Sequence, residues 1–378
     1  MSDRPVIGPV AEQHARVGDV DETNVRQRVR SHRRAIDELS CVLGSIGEPG
    51  RVDAEEVARE QRLVRRGVAA DKGFPHLRFE VDKEVHAALM HRGSVAPAGT
   101  FSAVKLGLIT PVLTLNPRVH NSWEETADFD AVVAIAETAD RLGYHHLTCS
   151  EHIAVPAGEV AARRGSRYYD PLATFGYLAA RTTFIKFETH VLVLGYHHPF
   201  EIAKRYGTLD AITGGRLILG VGVGSLEEEF NLLGAPFADR GDRADASLRE
   251  LRRVLSEREV DGFIIDPHAV QQRVPIWIGG RTFRSLRRAV ELADGWCPFG
   301  LTADAIAGML ARVGPTPPEF EIVLFPEPVP DPVGKPDAAR EVIAQFVEAG
   351  ATTLNLRFRS DSLSHCLDQL EAVTTLVR

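Results

Sequence analysis

Gly214-Gly215-Arg216-Leu217-Ile218-Leu219-Gly220-Val221-Gly222-Val223-Gly224-Ser225-Leu226-Glu227-Glu228-Glu229-Phe230 contains one complete structural unit. A β-rich run at Arg216 to Val221 passes through alternating glycines into the acidic first turn of a helix at Leu226. The unit repeats outward in both directions. Further β-rich runs lie at Val104 to Thr110, His146 to Ser150, Ile185 to Leu194, Ile276 to Gly279, Trp296 to Phe299, Phe320 to Phe325 and Thr352 to Phe358. Helical periodicity follows each run, at Glu124 to Leu142, Asp170 to Arg181, Phe200 to Ile212, Asp242 to Ser256, Phe283 to Ala293, Thr302 to Val313, Pro336 to Ala349 and Ser362 to Leu376. Eight strand-helix units, in a length near the ~250 residues typical of the fold, predict an α/β protein with a (β/α)8 TIM barrel over residues 104–378. A doubly wound sheet is the alternative; it would usually carry fewer units, and eight is the number that closes. In the first helix Phe129, Val132, Ile135, Ala136, Ala139 and Leu142 form one apolar stripe, with Gly143 as its expected stop.

The whole chain has 378 residues, 44% hydrophobic and 25% charged, with a net charge of -8. That composition suits a globular core and excludes wholesale disorder. The acidic balance offers no general attraction for nucleic acid or anionic lipid, so neither is an expected partner. No apolar run approaches the ~18–20 residues of a membrane span and Met1 to Val10 has no signal-peptide pattern, so a cytoplasmic location is expected. Cys41, Cys149, Cys297 and Cys366 are too scattered for a disulfide framework or a Cys-x-x-Cys motif. They read as buried apolar residues in a reducing compartment.

A Gly-, Ser-, Pro- and Ala-rich seam at Arg92 to Thr100 separates the barrel from an N-terminal helical extension of unassigned role, residues 1–100. Val25, Val29, Ile36, Leu39 and Leu43 mark one amphipathic helix there, and a second is expected from Asp53 to Ala69. Arg26, Arg28, Arg30, Arg33 and Arg34 cluster on the first. Residues 1–100 carry 16 basic and 16 acidic side chains, so a solvated helix face is favoured over a nucleic-acid surface, and the whole net charge belongs to the barrel.

A barrel of this kind works at the C-terminal ends of its strands. After the second strand stands Ser150-Glu151-His152, a carboxylate beside an imidazole that can move a proton near neutral pH or serve as a structural pair. The third strand ends in Tyr196-His197-His198-Pro199. Together with His145, His146, His152 and His190 it raises a metal question. Adjacent histidines on a strand face opposite ways and no His-x-x-x-His occurs, so no metal site is expected. The glycines after the fourth strand lack the G-x-G-x-x-G spacing, since Ser225 stands in the third position; they fit either a flat ligand lying on the backbone or a tight turn. Gly279-Gly280-Arg281-Thr282, opening a helix, fits a phosphate on free backbone N–H groups or a capped helix with solvated arginine.

These stretches together resemble the bacterial luciferase-like superfamily, and most of all its branch using the deazaflavin coenzyme F420. The resemblance is carried by residues 214–230, by Phe237-Ala238-Asp239-Arg240, by Ser150-Glu151-His152, by Ala203-Lys204 with Thr208-Leu209-Asp210, and by Pro275 to Gly280 with Ala293-Asp294-Gly295-Trp296. It implies a barrel holding an isoalloxazine-like ring at the strand ends, with Glu151 contacting the ring and His152 facing the substrate. It also implies a non-prolyl cis peptide in a bulge of the third strand, with His190-Val191 as the matching place. Gly222, Gly224 and Ser225 would lie near the ribityl or phosphate portion, and Gly279, Gly280, Arg281 and Thr282 would take the phosphate. Some sugar-phosphate dehydrogenases of this branch carry Glu where Ser225 stands, which argues against their substrate here.

The resemblance implies hydride transfer between F420 and a small organic substrate, with His152 exchanging the proton. An FMN-dependent monooxygenase using O2 is the first alternative, and a cofactor-binding barrel without turnover the second. Trp123, Tyr168, Tyr169, Tyr196 and Phe299 sit on the expected pocket loops, so an apolar or aromatic substrate is expected. A homodimer is the assembly the resemblance implies.

Overall fold

The computed structural model describes residues 104–377; the helices expected within residues 1–100, and Cys41 with them, lie outside the described residues. The strands are β1 (Lys105–Leu108), β2 (His146–Cys149), β3 (Lys186–Thr189), β4 (Leu192–Val193), β5 (Leu217–Gly222), β6 (Glu259–Val260), β7 (Phe263–Ile264), β8 (Ile276–Gly279), β9 (Gly295–Cys297), β10 (Glu321–Leu324) and β11 (Thr353–Leu356). The parallel order β1-β2-β3-β5-β8-β9-β10-β11 closes into an eight-stranded barrel, because β11 returns to β1 and β3 pairs with β5. β4 continues β3 beyond a break and also pairs with β5. β6 and β7 form an antiparallel hairpin outside the barrel that the strand-helix pattern does not anticipate.

The helices are α1 (Phe129–Leu142), α2 (Glu159–Arg164), α3 (Pro171–Ala179), α4 (Pro199–Thr213), α5 (Glu227–Leu232), α6 (Arg240–Ser256), α7 (Phe283–Leu292), α8 (Ala303–Val313), α9 (Pro336–Glu348) and α10 (Leu363–Leu376). α1 shows why the periodicity works. Val132, Ile135, Ala136 and Ala139 are buried, Asp128 caps the first turn, and Gly143 ends the helix at φ 81°. The helix starts five residues later than the expected Glu124. Glu124 turns back instead, its carboxylate accepting from the N–H groups of Val112 and Asn121 at 2.8 Å each while Arg357 pairs with it at 3.1 Å. A buried acid so occupied closes a short 3-10 turn, Ser122–Glu125, rather than opening a helix.

Register partners in parallel strands share a face, which assigns the barrel interior. Gly107 lies opposite His146 and Asn355, Glu188 opposite Ile218, Gly220 opposite Trp277, and Gly279 opposite Cys297. Ile218, Trp277, Cys297 and Val323 form the apolar part of that interior, and His146, Glu188 and Asn355 its polar part. The alternate residues, among them Leu108, Leu147, Phe187, Leu219 and Leu354, join the helices in the main core.

Three aspartates staple the N-terminal mouth. Asp140 at the end of α1 accepts from the N–H groups of Thr183, Phe184 and Ile185 ahead of β3, at 2.7–2.8 Å. Asp210 of α4 is fully buried and accepts from Val270 N, Gln271 N and Gln271 Nε2 at 2.7–3.0 Å. Asp294 accepts from Ile276 N at 2.8 Å and pairs with Arg252 and Arg273. Asp210 and Asp294 both belong to stretches that carry the resemblance, and both hold the fold at the end remote from the strand C-termini. A cavity of about 430 Å³ opens at this same mouth, lined by Lys105, His145, Lys186, Trp277 and Glu321. Cys149, Cys297 and Cys366 are buried as expected, and no helix among the described residues is long and apolar enough to cross a membrane.

Asp210→Ala strips the acceptor from several buried N–H groups at once. It should lower unfolding stability in urea by about 1–3 kcal/mol, and an unchanged midpoint would remove Asp210 from its stapling role.

Candidate active site

The third barrel strand is where regular hydrogen bonding fails. It breaks between β3 and β4 at His190–Val191, whose peptide bond is cis, as the resemblance implies. Three contacts occupy the groups around the break: His190 N donates to Cys149 O at 2.7 Å, Thr189 Oγ1 to Gly220 O at 2.7 Å, and Val193 N to Glu151 Oε2 at 2.7 Å. The other Glu151 oxygen meets His197 Nε2 at 2.7 Å. Both oxygens of Glu151, the residue expected against the cofactor ring, therefore have protein partners that hold β4 and the turn after it.

Beneath the break, the His190 imidazole turns into the barrel, its Nδ1 3.1 Å from Glu188 Oε1. Glu188 Oε2 lies 2.9 Å from His146 Nε2 and accepts from Asn355 Nδ2 at 3.1 Å. Burial alone would raise the pKa of this carboxyl, but the two imidazoles hold it well below the ordinary value. The six histidines that raised the metal question thus do not form one cluster. His145 lines the N-terminal mouth and His146 the interior, while His190, His197 and His152 lie at or after the strand ends. Ligating atoms of Glu188, His190 and Cys297 do approach within 4.8 Å of one another, a cluster that sequence spacing did not reveal.

Val191 presents its side chain at the strand ends. A Cβ on Gly222 would lie 2.7 Å from Val191 Cγ2, and one on Gly279 would lie 2.8 Å from Val191 Cγ1. Gly222, expected to fit a flat ligand or a tight turn, and Gly279, expected at a phosphate site or a capped helix start, both leave room for Val191. Gly224, at φ 78°, carries the chain over the Phe230 ring, and Arg240 Nε donates to its carbonyl at 3.1 Å.

His152 is the member of the Glu-His pair with chemistry to spare. Its Nδ1 lies 2.7 Å from Oε2 of Glu229, and its ring meets the edge of Tyr168 at 4.5 Å. No partner at Nε2 appears among the described residues. Glu229 on α5 is a hub: Oε2 also accepts from Tyr196 Oη at 2.7 Å, and Oε1 accepts from Ile153 N and Ala154 N at 2.5 and 3.1 Å. Burial would raise the Glu229 carboxyl, but the hydrogen bonds from His152, Tyr196 and the Ala154 N–H outweigh it and hold the pKa below the usual range. An ionised Glu229 accepts from Nδ1–H, so Nε2 is the ring nitrogen left without a protein partner. Tyr196, raised by burial and by its bond to Glu229, stays protonated and donates.

Just after strand β8, Gly280 stands at φ 124° and accepts from Trp296 Nε1 at 3.1 Å. Thr282 caps α7 through a reciprocal bond with Ser285, which occupies its hydroxyl. Arg281 is exposed, 5.8 Å from the ring centre of Phe299. Ser225, after β5, accepts from Arg164 Nη2 at 3.4 Å. Trp123, after β1, is tied to Ser360 at 3.1 Å. The predicted residues therefore lie at or after the C-terminal ends of β1, β2, β3, β4, β5, β8 and β9. Glu229, His197 and Arg164 were missed. Glu229 sits in a run of three acids that reads as a helix start; Glu227 and Glu228 are exposed and Glu229 alone is buried.

This barrel and its strand-end site define a class, and residues 110–365 match the family model of luciferase-like monooxygenases. The chain belongs to that family. An uncharacterised protein of Mycobacterium tuberculosis is 32% identical over 209 residues, covering 50% of this chain and 72% of that one. Among solved structures, the monooxygenase RslO1 from Streptomyces bottropensis aligns with a TM-score of 0.60 at 19% identity, covering 72% of this chain and 98% of that one. An F420-dependent secondary alcohol dehydrogenase, solved with an F420-acetone adduct, aligns with a TM-score of 0.56 at 15% identity, covering 73% and 100%. At these identities the likeness is one of fold.

His197 titrates above the ordinary histidine value: burial pushes it down, but its bond to Glu151 more than compensates. The stability it contributes is fully present below about pH 6.5 and is lost as pH rises through its raised folded value. Ring-proton NMR should give a His197 midpoint above 6.5 that falls in Glu151→Gln; a midpoint indifferent to that substitution would deny the pairing.

Proposed function

We propose that this luciferase-like oxidoreductase works with the deazaflavin coenzyme F420 and exchanges a hydride with a small organic substrate, while His152 exchanges the accompanying proton. The observation that carries the reading is His152 on the buried Glu229 carboxylate. The anchored imidazole keeps one nitrogen fixed by an anion and the other without a protein partner at the open end of the barrel. A group held in this way suits proton transfer near neutral pH.

The residues present fit the cofactor class. Gly280, Arg281 and Thr282 at the start of α7 offer a helix N-terminus and an exposed guanidinium for a phosphate. The Val191 side chain, seated over two glycines, is the apolar surface available to a ring. The cofactor supplies the hydride-accepting or hydride-donating carbon, and the protein supplies position, electrostatics and the proton. Glu151 and His197 keep β4 and Val191 in place, Glu229 orients His152, and Tyr196 donates to the same carboxylate.

The name of RslO1 supports a second reading, a monooxygenase that places reduced FMN and O2 in the same pocket. Equilibrium binding separates the two: oxidised F420 should bind more tightly than FMN, and a clear preference for FMN would shift the reading to the monooxygenase. His152→Ala should lower turnover about 10²-fold or more with the cofactor dissociation constant held within about threefold. Unchanged turnover in a native-like variant would remove His152 from the chemistry.

A further inference from the structure

The barrel interior brings one mixed set of metal-ligating groups together from two strands. Glu188 is fully buried on β3, Cys297 is the enclosed last residue of β9, and His190 follows β3 at the break with 16% of its side chain exposed. One ligating atom of each lies within 4.8 Å of the other two, and no second group of three such side chains converges this closely among the described residues.

Glu188 is already oriented. Its Oε1 faces His190 Nδ1 at 3.1 Å, while Oε2 meets His146 Nε2 at 2.9 Å and accepts from Asn355 Nδ2 at 3.1 Å. Partners outside the set of three therefore fix the carboxylate, as the outer partners of a metal ligand do. Cys297 is the unused member. Cys149 Sγ donates to Tyr169 O at 3.4 Å and Cys366 is hydrogen-bonded to Ser360, but the Cys297 thiol has no partner on another residue among the described residues.

Sulfur, imidazole nitrogen and carboxylate oxygen together suit zinc and its close relatives rather than calcium or magnesium, which take oxygen. Bonds of roughly 2.0–2.3 Å space tetrahedral ligands about 3.3–3.8 Å apart, so side-chain adjustments of about an ångström close the set. Burial and the Glu188 charge push the Cys297 thiol up, so without an ion it keeps its proton. When an ion arrives the S–H bond breaks, a sulfur–metal bond forms and the proton leaves to solvent. The two charges of the ion then meet one carboxylate and one thiolate, which spares the interior an unpaired charge.

We propose that Glu188, His190 and Cys297 form a site for a divalent ion of the zinc class, with three protein ligands and a fourth position on the exposed side of His190. An ion held there ties β3 to β9 at the His190–Val191 break. The site is independent of which cofactor the strand-end pocket takes.

Cobalt(II) is the probe, because thiolate ligation gives it an intense near-ultraviolet charge-transfer band that carboxylates and imidazoles alone do not. The full chain, stripped with a chelator and titrated anaerobically, should bind one equivalent of Co2+ with this band, and Zn2+ should displace it. Cys41→Ser should leave the band intact, and Cys297→Ala should abolish it. Loss of an outer partner already costs about 10–100-fold in metal affinity, so His190→Ala should weaken Co2+ binding by at least that much. Circular dichroism and melting temperature report on folding, and His190→Ala decides the matter if Cys297→Ala does not fold. A wild type without the band would overturn the proposal. So would a band that survives Cys297→Ala, a band lost in Cys41→Ser, or a native-like His190→Ala that binds Co2+ as the wild type does.

Discussion

Two buried carboxylates hold open a break in a barrel strand, and the geometry of the site depends on them. A strand interior cannot leave its N–H and C=O groups without partners. Where β3 gives way to β4, Glu151 takes the N–H of Val193 from above, and Glu188 anchors the His190 ring from below. Between these anchors the Val191 side chain is directed over β5 and β8, at the glycines that make room for it. The glycines are consequences of the break as much as preparations for a ligand.

The opposite ends of the barrel use acidic residues differently. At the N-terminal mouth, Asp140, Asp210 and Asp294 accept from backbone N–H groups ahead of strands and fix the closure. At the C-terminal end, Glu151 and Glu229 each combine a backbone contact with an imidazole. The same stapling contact there leaves a titratable ring held beside the pocket. Residues that identify the family are thus split between the two ends, and only those after the strands face the chemistry.

The barrel was legible because its signals are local. Alternating β-rich and 3.6-period stretches, Gly143 as a helix stop, and the start of α7 after Thr282 each involve neighbours a few residues apart. The late start of α1 was not, because Glu124 spends its carboxylate on Val112, Asn121 and Arg357, the last 233 positions away. The site followed the same rule. His152 and the strand-end glycines stand out in the chain, but the acid that orients His152 lies 77 positions away, and Arg164 meets Ser225 across 61. Glu229 could be singled out from Glu227 and Glu228 only once the packing of α5 was known, and the room that Gly222 and Gly279 leave for Val191 is visible only in three dimensions.

The most direct test of this account is a crystal structure of the full chain with oxidised F420 bound. The account predicts the deazaflavin ring against the Val191 side chain, with His152 beside it and a phosphate at Gly280 to Thr282. Ligand density confined to the cavity at the N-terminal mouth, with no ligand at the strand ends, would contradict it.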